Sequence, residues 1–245
     1  MDNQNLVIIP TYNERDNIKP LVQRVFEYPV HLLCVDDRGS DDTAAEIARQ
    51  QRKYPNLHLL QNPQRGGLGR AYVLGMQWGL DKGYQHLITM DADLSHDPKY
   101  LPTILAALQS NDVVIGSRYV ASGDVSKFNL LRQMLSRFSS WYARTLLDLP
   151  IKDITSGFVG FRKNILEKIN LAVIDSRGFI FQVETKLLAS LHGGRVKEIP
   201  IAFGDRLHGA SKMSAAIIFE AMFATWALRK RKQIMQATNT VQERK

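Results

Sequence analysis

The chain has 245 residues, of which 44% are hydrophobic and 23% charged, so it can bury a full core as one domain or as a domain with an appendage. Its only cysteine, Cys34, lies in an apolar run, which excludes a disulfide framework and indicates a reducing cytoplasm. The net charge is +8, and residues 229–245 contribute +5 of it, so the basic excess is concentrated in the C-terminal tail.

The N-terminus carries no recognisable export signal. Residues 1–5 are polar, and the apolar run that follows, 6–9, is too short for the hydrophobic segment of a signal peptide. We therefore expect no signal peptide.

Short apolar runs alternate with helix-like segments through the first half of the chain. This βαβ alternation predicts an α/β fold with a mostly parallel sheet covered by helices on both faces. Ligands in that architecture bind beyond the strand ends. The predicted strands are 6–9, 30–35, 57–60, 86–90 and 113–115, and the predicted helices include 17–26, 43–52 and 72–80.

The pattern changes after Tyr119. A polar loop is predicted over 120–127, a long amphipathic helix over 128–149, and strands over 158–161, 179–183 and 196–199. Residues 200–212 are rich in glycine and basic side chains and show no periodicity.

A second amphipathic helix is predicted over residues 213–228. This segment is apolar apart from Glu220, but its sixteen residues fall short of the about 20 that a membrane-spanning helix needs. We therefore expect no transmembrane span, and we place the only domain boundary near residue 212.

Two carboxylates follow the predicted strand 86–90. In Asp91-Ala92-Asp93 the aspartates are at positions i and i+2 of an extended segment, so their side chains point to one side. Clustered carboxylates at the end of a buried strand are costly unless a cation or ligand lies between them. The pair is therefore predicted to share Mg²⁺ or Mn²⁺, which can bridge phosphate oxygens; helix capping alone is the alternative.

Polar residues also follow the first two predicted strands, in segments 10–14 and 36–37. Carboxylate and amide groups at adjacent strand ends suit a nucleobase and a ribose, so these segments predict a nucleotide site. The glycine-rich segment 66–71 offers backbone N–H groups at a helix start, which favours an anion. It lacks the Lys-Ser/Thr ending of a P-loop, and the Gly-x-Gly-x-x-Gly motif is absent from the sequence.

Taken in order, these segments resemble the inverting GT-A glycosyltransferases of family 2, and within that family the dolichyl-phosphate (polyprenyl-phosphate) mannose synthases. The matching segments are 8–14, 35–37, Asp41 with Thr43, 67–72, 90–96, 116–119, 153–158, 178–184 and 200–212. One segment departs from the pattern: residues 38–43 read RGSDDT where the family usually has an ending like Ser-Pro-Asp-Gly-Thr. The geometry of that turn is therefore left open.

The resemblance implies a GT-A nucleotide-sugar-binding fold with a C-terminal amphipathic helix. It divides the chain into a catalytic domain over 1–212 and an amphipathic helix with a basic tail over 213–245. Within the catalytic domain, residues 1–117 form the nucleotide-sugar half and residues 118–212 the acceptor half.

The resemblance also implies a role for each matching residue. The catalytic residues would be Asp91, Asp93 and Arg118. The nucleotide sugar would be held by Pro10, Tyr12, Glu14, Asp37, Asp91 and Ala92, with Arg206 and Lys212 in a loop that closes over the diphosphate. The metal would be held by Asp91, Asp93 and Ser95, at whose position the family often has Gln. The acceptor phosphate would be held by Arg118, Arg132 and Ser136.

The chemistry of the basic residues agrees with these roles. Arg pairs with phosphate through two parallel hydrogen bonds, and Lys supplies a point charge. Arg132 and Ser136 share a helix face at i and i+4, where a merely solvated surface is the alternative.

The implied reaction transfers mannose from GDP-mannose to a polyprenyl (dolichyl-type) monophosphate with inversion at the anomeric carbon. The alternative is the same reaction with UDP-glucose or another nucleotide sugar on undecaprenyl phosphate, because pocket shape rather than a short motif sets the sugar. A nucleic-acid partner is not expected, because the basic residues lack interleaved aromatic residues and a recognisable nucleic-acid module.

An isoprenoid acceptor requires contact with a membrane surface, so we expect a peripheral protein on the cytoplasmic face. The helix 213–228 is the candidate for that contact, with the basic cluster 229–232 facing lipid headgroups. Two alternatives stay open: the helix packs on the catalytic core or recruits a small membrane-protein subunit, and the charge run is simply solvated.

Overall fold

The computed structural model describes residues 4–125, 130–174, 178, 180–204 and 215–242. The strands in this part are β1 (Asn5–Thr11), β2 (His31–Asp36), β3 (Leu57–Gln61), β4 (His86–Thr89), β5 (Val113–Ser117), β6 (Val159–Arg162) and β7 (Val196–Pro200). They form one sheet in the order β3-β2-β1-β4-β6-β5-β7, in which β6 runs antiparallel to its two neighbours and the other strands share one direction. The predicted, mostly parallel sheet is confirmed.

Helices cover both faces of this sheet. They are α1 (Arg15–Val25), α2 (Thr43–Gln51), α3 (Gly67–Asp81), α4 (Leu101–Leu108), α5 (Leu130–Leu146), α6 (Lys163–Ile169), α7 (Ile180–Leu191) and α8 (Ala215–Gln242). Along β1, Leu6 and Ile8 belong to one buried cluster with residues of α3 and α7, whereas Val7 and Ile9 belong to another with residues of α1 and α4. Because both faces are buried, the strands appear in the sequence as continuous apolar runs.

Cys34 occupies the structural position that its apolar neighbours predict. It is fully buried in β2, and burial, reinforced by the nearby Asp36 carboxylate, raises the pKa of its thiol to about 12. The thiol is therefore protonated and unreactive at neutral pH.

The strand predicted over 179–183 is wrong. The residues from Ile180 belong to α7, a helix whose residues 180–189 are all buried. A five-residue apolar run does not distinguish a buried strand from one end of a buried helix, because a helix buried on all sides has no polar face to reveal its period.

The C-terminal helix is longer than predicted and packs on the core. α8 continues to Gln242 along the side of α5 and α7, and its Leu228 joins the buried cluster. The Arg231 guanidinium pairs with the buried Glu184 carboxylate of α7, and the Lys232 ammonium donates to the Leu147 carbonyl (2.7 Å). The prediction that the whole cluster 229–232 faces lipid is therefore wrong, because two of its four side chains bond to the core.

No helix in the part of the chain that the structure describes combines the length and the hydropathy needed to cross a membrane.

Candidate active site

Three strand ends bring the predicted nucleotide residues to one edge of the sheet. The Asp37 N–H donates to the Thr11 carbonyl at the end of β1 (2.9 Å). On the other side of β1, the Met90 N–H donates to a β1 carbonyl (3.1 Å), which places Asp91 directly beyond β4. The residues that share this edge are Pro10, Tyr12, Glu14, Asp37, Asp91 and Ala92.

The loops that follow β1 and β2 are tied together by side-chain hydrogen bonds. The Glu14 N–H donates to Thr43 Oγ1 (2.9 Å), the Ser40 N–H donates to Asn13 Oδ1 (2.7 Å), and the Thr43 hydroxyl donates to Asp41 Oδ1 (2.5 Å). Burial acts to raise the pKa of Asp41, but hydrogen bonds from Thr43 and from backbone N–H groups outweigh it, so this pKa lies below its ordinary value. The turn left open by the sequence is thus built around an ionised Asp41 that joins the two loops.

The glycine-rich turn binds an anion from the protein itself. Asp37 Oδ1 accepts hydrogen bonds from the Gly66 N–H (3.0 Å) and the Asn62 amide (2.8 Å), and its Oδ2 accepts one from the Gly67 N–H (2.9 Å). Gly67 has a φ of 75°, a left-handed conformation that glycine adopts without steric cost. The Asp37 carboxylate therefore accepts two of the N–H groups that the turn offers, and binding of a ligand anion at the start of α3 stays a prediction.

The two aspartates beyond β4 have different surroundings. Asp91 is partly exposed, and its Oδ1 accepts a hydrogen bond from the buried Tyr72 hydroxyl (3.1 Å). Asp93 is buried, and its Oδ1 accepts hydrogen bonds from the Ser95 N–H (3.0 Å) and the Ser95 hydroxyl (2.5 Å). The Asp91 N–H donates to His96 Nδ1 (3.1 Å), so that nitrogen carries no proton. Burial lowers the pKa of His96 although the Asp91 carboxylate opposes it, which keeps the ring neutral.

This donor set fits a hard divalent cation only in part. Mg²⁺ in nucleotide sites typically takes one or two carboxylates and completes its shell with phosphate oxygens and water, and Asp91 and Asp93 supply the two carboxylates. Across the described ranges, no cluster of three or more His, Cys, Asp or Glu side chains is arranged to hold a metal ion. A metal here would therefore also need oxygen atoms from the nucleotide. Ser95, the third predicted ligand, directs its hydroxyl to Asp93.

Arg118 lies beyond β5, at the same edge of the sheet. Its Nε and Nη2 donate to the two carboxylate oxygens of Asp153 (2.8 and 2.7 Å), and Nη2 also donates to the Thr155 hydroxyl (3.1 Å). Burial acts to raise the pKa of Asp153, but the charge and hydrogen bonds of Arg118 together have the larger, opposite effect. The pKa therefore lies below its ordinary value, and the carboxylate is ionised. The next residue, Tyr119, donates its hydroxyl to Ser136 of α5 (2.5 Å), which brings the predicted Arg118 and Ser136 close to each other.

Three predicted site residues cannot be placed beside these groups. Arg206 and Lys212 lie outside the described residues, and so does the side chain of Arg132. Their assignments therefore remain predictions from the resemblance.

Sequence comparison identifies the family. A family model described as glycosyl transferase family 2 matches residues 6–170. The chain belongs to this family. The glycosyltransferase is 43% identical over 234 residues to a polyprenol monophosphomannose synthase of Mycolicibacterium smegmatis, an alignment that covers 93% of this chain and 88% of that protein. It is 38% identical over 236 residues to an undecaprenyl-phosphate mannosyltransferase of Micrococcus luteus, covering 95% of this chain and 97% of the relative.

Solved structures of low sequence identity share the fold of the glycosyltransferase. Glucosyl-3-phosphoglycerate synthase of Mycobacterium tuberculosis, in complex with Mn²⁺, UDP and glucosyl-3-phosphoglycerate, superposes with a TM-score of 0.65 at 14% identity over 93% of this chain and 80% of that one. A mannosyltransferase of Pyrobaculum calidifontis in complex with GDP-Man and Mn²⁺ gives a TM-score of 0.61 at 17% identity over 96% and 68%. The predicted GT-A fold is confirmed.

Several residues of the glycosyltransferase site received no role from the sequence. Four of them lie within the segments that match the family, so the resemblance covered these positions but gave them no role: Tyr72, His96, Asp153 and Gln182. Asn62 and Arg65 lie outside those segments. Asn62 contacts Asp37, and the Arg65 guanidinium lies 4.3 Å from the centre of the Tyr12 ring, at the nucleotide edge.

Lys186 of α7 is a buried cation that the sequence analysis did not single out. Its ammonium donates to the carbonyl oxygens of Ser156 (2.7 Å) and Gln182 (2.9 Å), so it joins α7 to the loop before β6. Burial lowers the pKa of Lys186 to about 7, although the Asp153 carboxylate opposes this shift.

The buried Lys186 is expected to make the stability of the glycosyltransferase rise with pH. The unfolded chain keeps this lysine protonated up to about pH 10.4, whereas the folded protein releases the proton from about pH 7. The unfolded state therefore binds more protons between these values. The free energy of unfolding of the wild type, minus that of Lys186→Met, should rise by about 2 kcal/mol from pH 7 to pH 9. Urea unfolding of both proteins at the two pH values measures this difference, and parallel pH profiles would contradict it.

Proposed function

We propose that this glycosyltransferase transfers mannose from GDP-mannose to a polyprenyl monophosphate. The observation that carries the proposal is the placement of Asp91 and Asp93 beyond β4 and of Arg118 beyond β5, at one edge of one sheet. That edge offers carboxylates for a cation on a nucleotide diphosphate, and a guanidinium for a second phosphate. The two relatives that align over nearly the whole chain are named for mannose and for polyprenyl phosphate acceptors, which supports this sugar and this acceptor.

The proposed reaction is a direct displacement. An oxygen of the acceptor phosphate bonds to the anomeric carbon of mannose while the bond from that carbon to the GDP oxygen breaks, and GDP leaves with the electron pair. This inverts the configuration of the carbon. A monoalkyl phosphate has a second pKa of about 6 and is largely a dianion at neutral pH, so the protein need not supply a strong base.

The protein then has to hold two anions together. Arg118 is held by Asp153 and Thr155, and among the described residues its Nη1 has no hydrogen-bond partner, which leaves donors for the acceptor phosphate. Asp91 and Asp93 would hold the divalent cation, Mg²⁺ or Mn²⁺, and such a cation stabilises the negative charge on a leaving diphosphate.

A transfer assay tests the donor and the acceptor together. Purified protein with Mn²⁺ and a detergent-dispersed polyprenyl monophosphate is incubated separately with radiolabelled GDP-mannose, UDP-glucose and UDP-GlcNAc. Label should enter the organic phase only with GDP-mannose, and only when the acceptor is present. Transfer from UDP-glucose at an equal or higher rate would replace the proposed donor by the alternative one.

The surface that would meet the lipid is formed by α5 and α8. We call it the apolar ridge, and its exposed residues are Leu130, Leu131, Met134, Phe138 and Trp141 of α5 with Phe223 and Trp226 of α8. The two helices are in contact where the Tyr142 hydroxyl donates to the Met222 carbonyl (3.3 Å). Exposed apolar surface of this extent is typical of an interaction site, and the Lys230 ammonium beside Trp226 suits anionic headgroups. The apolar ridge also lies near Arg118, because the neighbouring residue Tyr119 donates a hydrogen bond to Ser136 of α5.

Vesicle flotation is expected to depend on the apolar ridge. The double variant Phe223→Ser/Trp226→Ser should bind anionic phospholipid vesicles at least about tenfold more weakly than the wild type, because two large apolar side chains no longer enter the interface. Val173→Ser, which changes an exposed apolar residue outside the ridge, is the matched control.

Unchanged flotation of the ridge variant would contradict lipid contact through α8. It would instead favour the alternative in which this surface receives a small membrane-protein subunit.

A further inference from the structure

Gln182, in the first turn of α7, has an amide group that the protein itself does not satisfy. The residue is 2% exposed, and neither its Oε1 nor its Nε2 has a hydrogen-bond partner in the described part of the chain. Buried amides are almost always paired, because an unpaired one destabilises the fold. An unpaired amide beside an active site therefore indicates a group that pairs with a ligand.

The amide of Gln182 faces a small space beside Asp91. A Cβ atom placed on Gly157 would lie 3.3 Å from His96 Cε1, 3.4 Å from Asp91 Oδ1 and 3.6 Å from Gln182 Nε2. Since residue 157 has no side chain, this space stays open, and both Gly157 and the Asp91 side chain are partly exposed to solvent. We call the space bounded by these four residues the Gly157 recess.

The walls of the Gly157 recess are held in place from two sides. The Thr89 hydroxyl of β4 donates to the Gly157 carbonyl (2.8 Å). The Lys186 ammonium bonds to the carbonyl oxygens of both Gln182 and Ser156, so it links the helix turn of Gln182 to the residue before Gly157. The backbone on both sides of the recess, including that of Gln182, is therefore held in place before a ligand binds.

The chemistry of the recess excludes most ligand groups. An anion would meet the Asp91 carboxylate, and an apolar group would leave the amide unpaired. A neutral hydroxyl group both donates and accepts, and a pair of adjacent hydroxyls matches an amide next to a carboxylate.

We propose that Gln182 hydrogen-bonds to hydroxyl groups of the sugar that the glycosyltransferase transfers. This inference rests on the proposed function, because the recess adjoins Asp91 of the proposed nucleotide-sugar site. Gln182 then helps to select the sugar: a site built to bond a hydroxyl discriminates strongly against a sugar that does not present it.

The test compares binding of the nucleotide with binding of the nucleotide sugar. Calorimetry on wild type and Gln182→Leu, with Mn²⁺, gives Kd for GDP and for GDP-mannose. The Kd for GDP should stay within about twofold, while the Kd for GDP-mannose and the kcat/KM for transfer should worsen about tenfold or more. The ratio of kcat/KM for GDP-mannose to that for GDP-glucose should also fall. Gln50→Leu, which changes a buried glutamine on α2, is the matched control and should change none of these values.

Two results would overturn the inference. If GDP and GDP-mannose weakened equally, Gln182 would only support the fold around the nucleotide, and if neither the affinities nor the sugar ratio changed, it would not contact the sugar. A different result would count against the proposed function alone. If the wild type bound UDP-glucose rather than GDP-mannose, the same comparison with UDP and UDP-glucose would decide the role of Gln182.

Discussion

Arg118→Met is expected to lower the free energy of unfolding by about 3–5 kcal/mol, because it leaves the Asp153 carboxylate buried without its cation. Asp153 is fully buried, and both of its carboxylate oxygens accept hydrogen bonds from the guanidinium. Most of this loss should be recovered in the double variant Arg118→Met/Asp153→Leu, which removes both charges. Urea unfolding of the wild type, the single variant and the double variant measures the effect.

The double variant also separates stability from function. Once its stability is recovered, the double variant should still fail to transfer mannose to polyprenyl phosphate at a normal rate. It lacks the guanidinium that is proposed to donate hydrogen bonds to the acceptor phosphate. Near-normal transfer by this variant would show that Arg118 does not bind the acceptor. A double variant no more stable than Arg118→Met would show that the unpaired charge is not the cause of the instability.

Asp93→Asn is expected to lower kcat about 10²–10³-fold without a comparable loss of stability, because it removes the charge that would hold the cation. Asparagine keeps an oxygen that can accept the two hydrogen bonds from Ser95, so the local structure should be retained. The measurement is single-turnover mannosyl transfer across a range of Mn²⁺ concentrations, with thermal unfolding recorded alongside.

Two companion variants calibrate that result. Asp81→Asn removes an exposed carboxylate that accepts a hydrogen bond from Gln77 at the end of α3, and it should leave the rate unchanged. Ser95→Ala keeps the Asp93 carboxylate and removes its orienting hydroxyl, so its rate should fall about tenfold, the equivalent of one hydrogen bond. If Ser95→Ala were as damaging as Asp93→Asn, Ser95 would be a cation ligand itself, as the resemblance implies.

The sequence predicted the groups that follow strands and failed where distant segments meet. A parallel sheet brings its strand ends to one edge, so the shared location of Asp37 and Asp91 could be foreseen from the pattern alone. The hydrogen bond from the Gly67 N–H to Asp37 joins residues 30 positions apart, and the one from Arg118 to Asp153 joins residues 35 apart. Nothing local in the sequence encodes such pairs.

Helix burial explains the other differences from expectation. α7 is buried along residues 180–189 and therefore lacks the alternation of polar and apolar positions that identifies a helix. α8 was expected to end where its apolar residues end, yet it continues through the basic cluster, where Arg231 pairs with Glu184 of α7 and Lys232 donates to the carbonyl of Leu147, just after α5. Both outcomes depend on neighbours that only the folded chain supplies.

The hydrogen bonds from the Gly66 and Gly67 N–H groups to Asp37 bear on how the proposed nucleotide diphosphate would be neutralised. In a P-loop the backbone itself supplies the counter-charge, and it is present before any ligand arrives. Here the N–H groups of Gly66 and Gly67 already donate to an internal carboxylate, so a diphosphate bound as proposed would draw more of its compensating charge from side chains or from a cation that enters with it. On the proposed function, we expect nucleotide affinity to fall on removal of divalent ions and with rising ionic strength more steeply than it would at a backbone cradle.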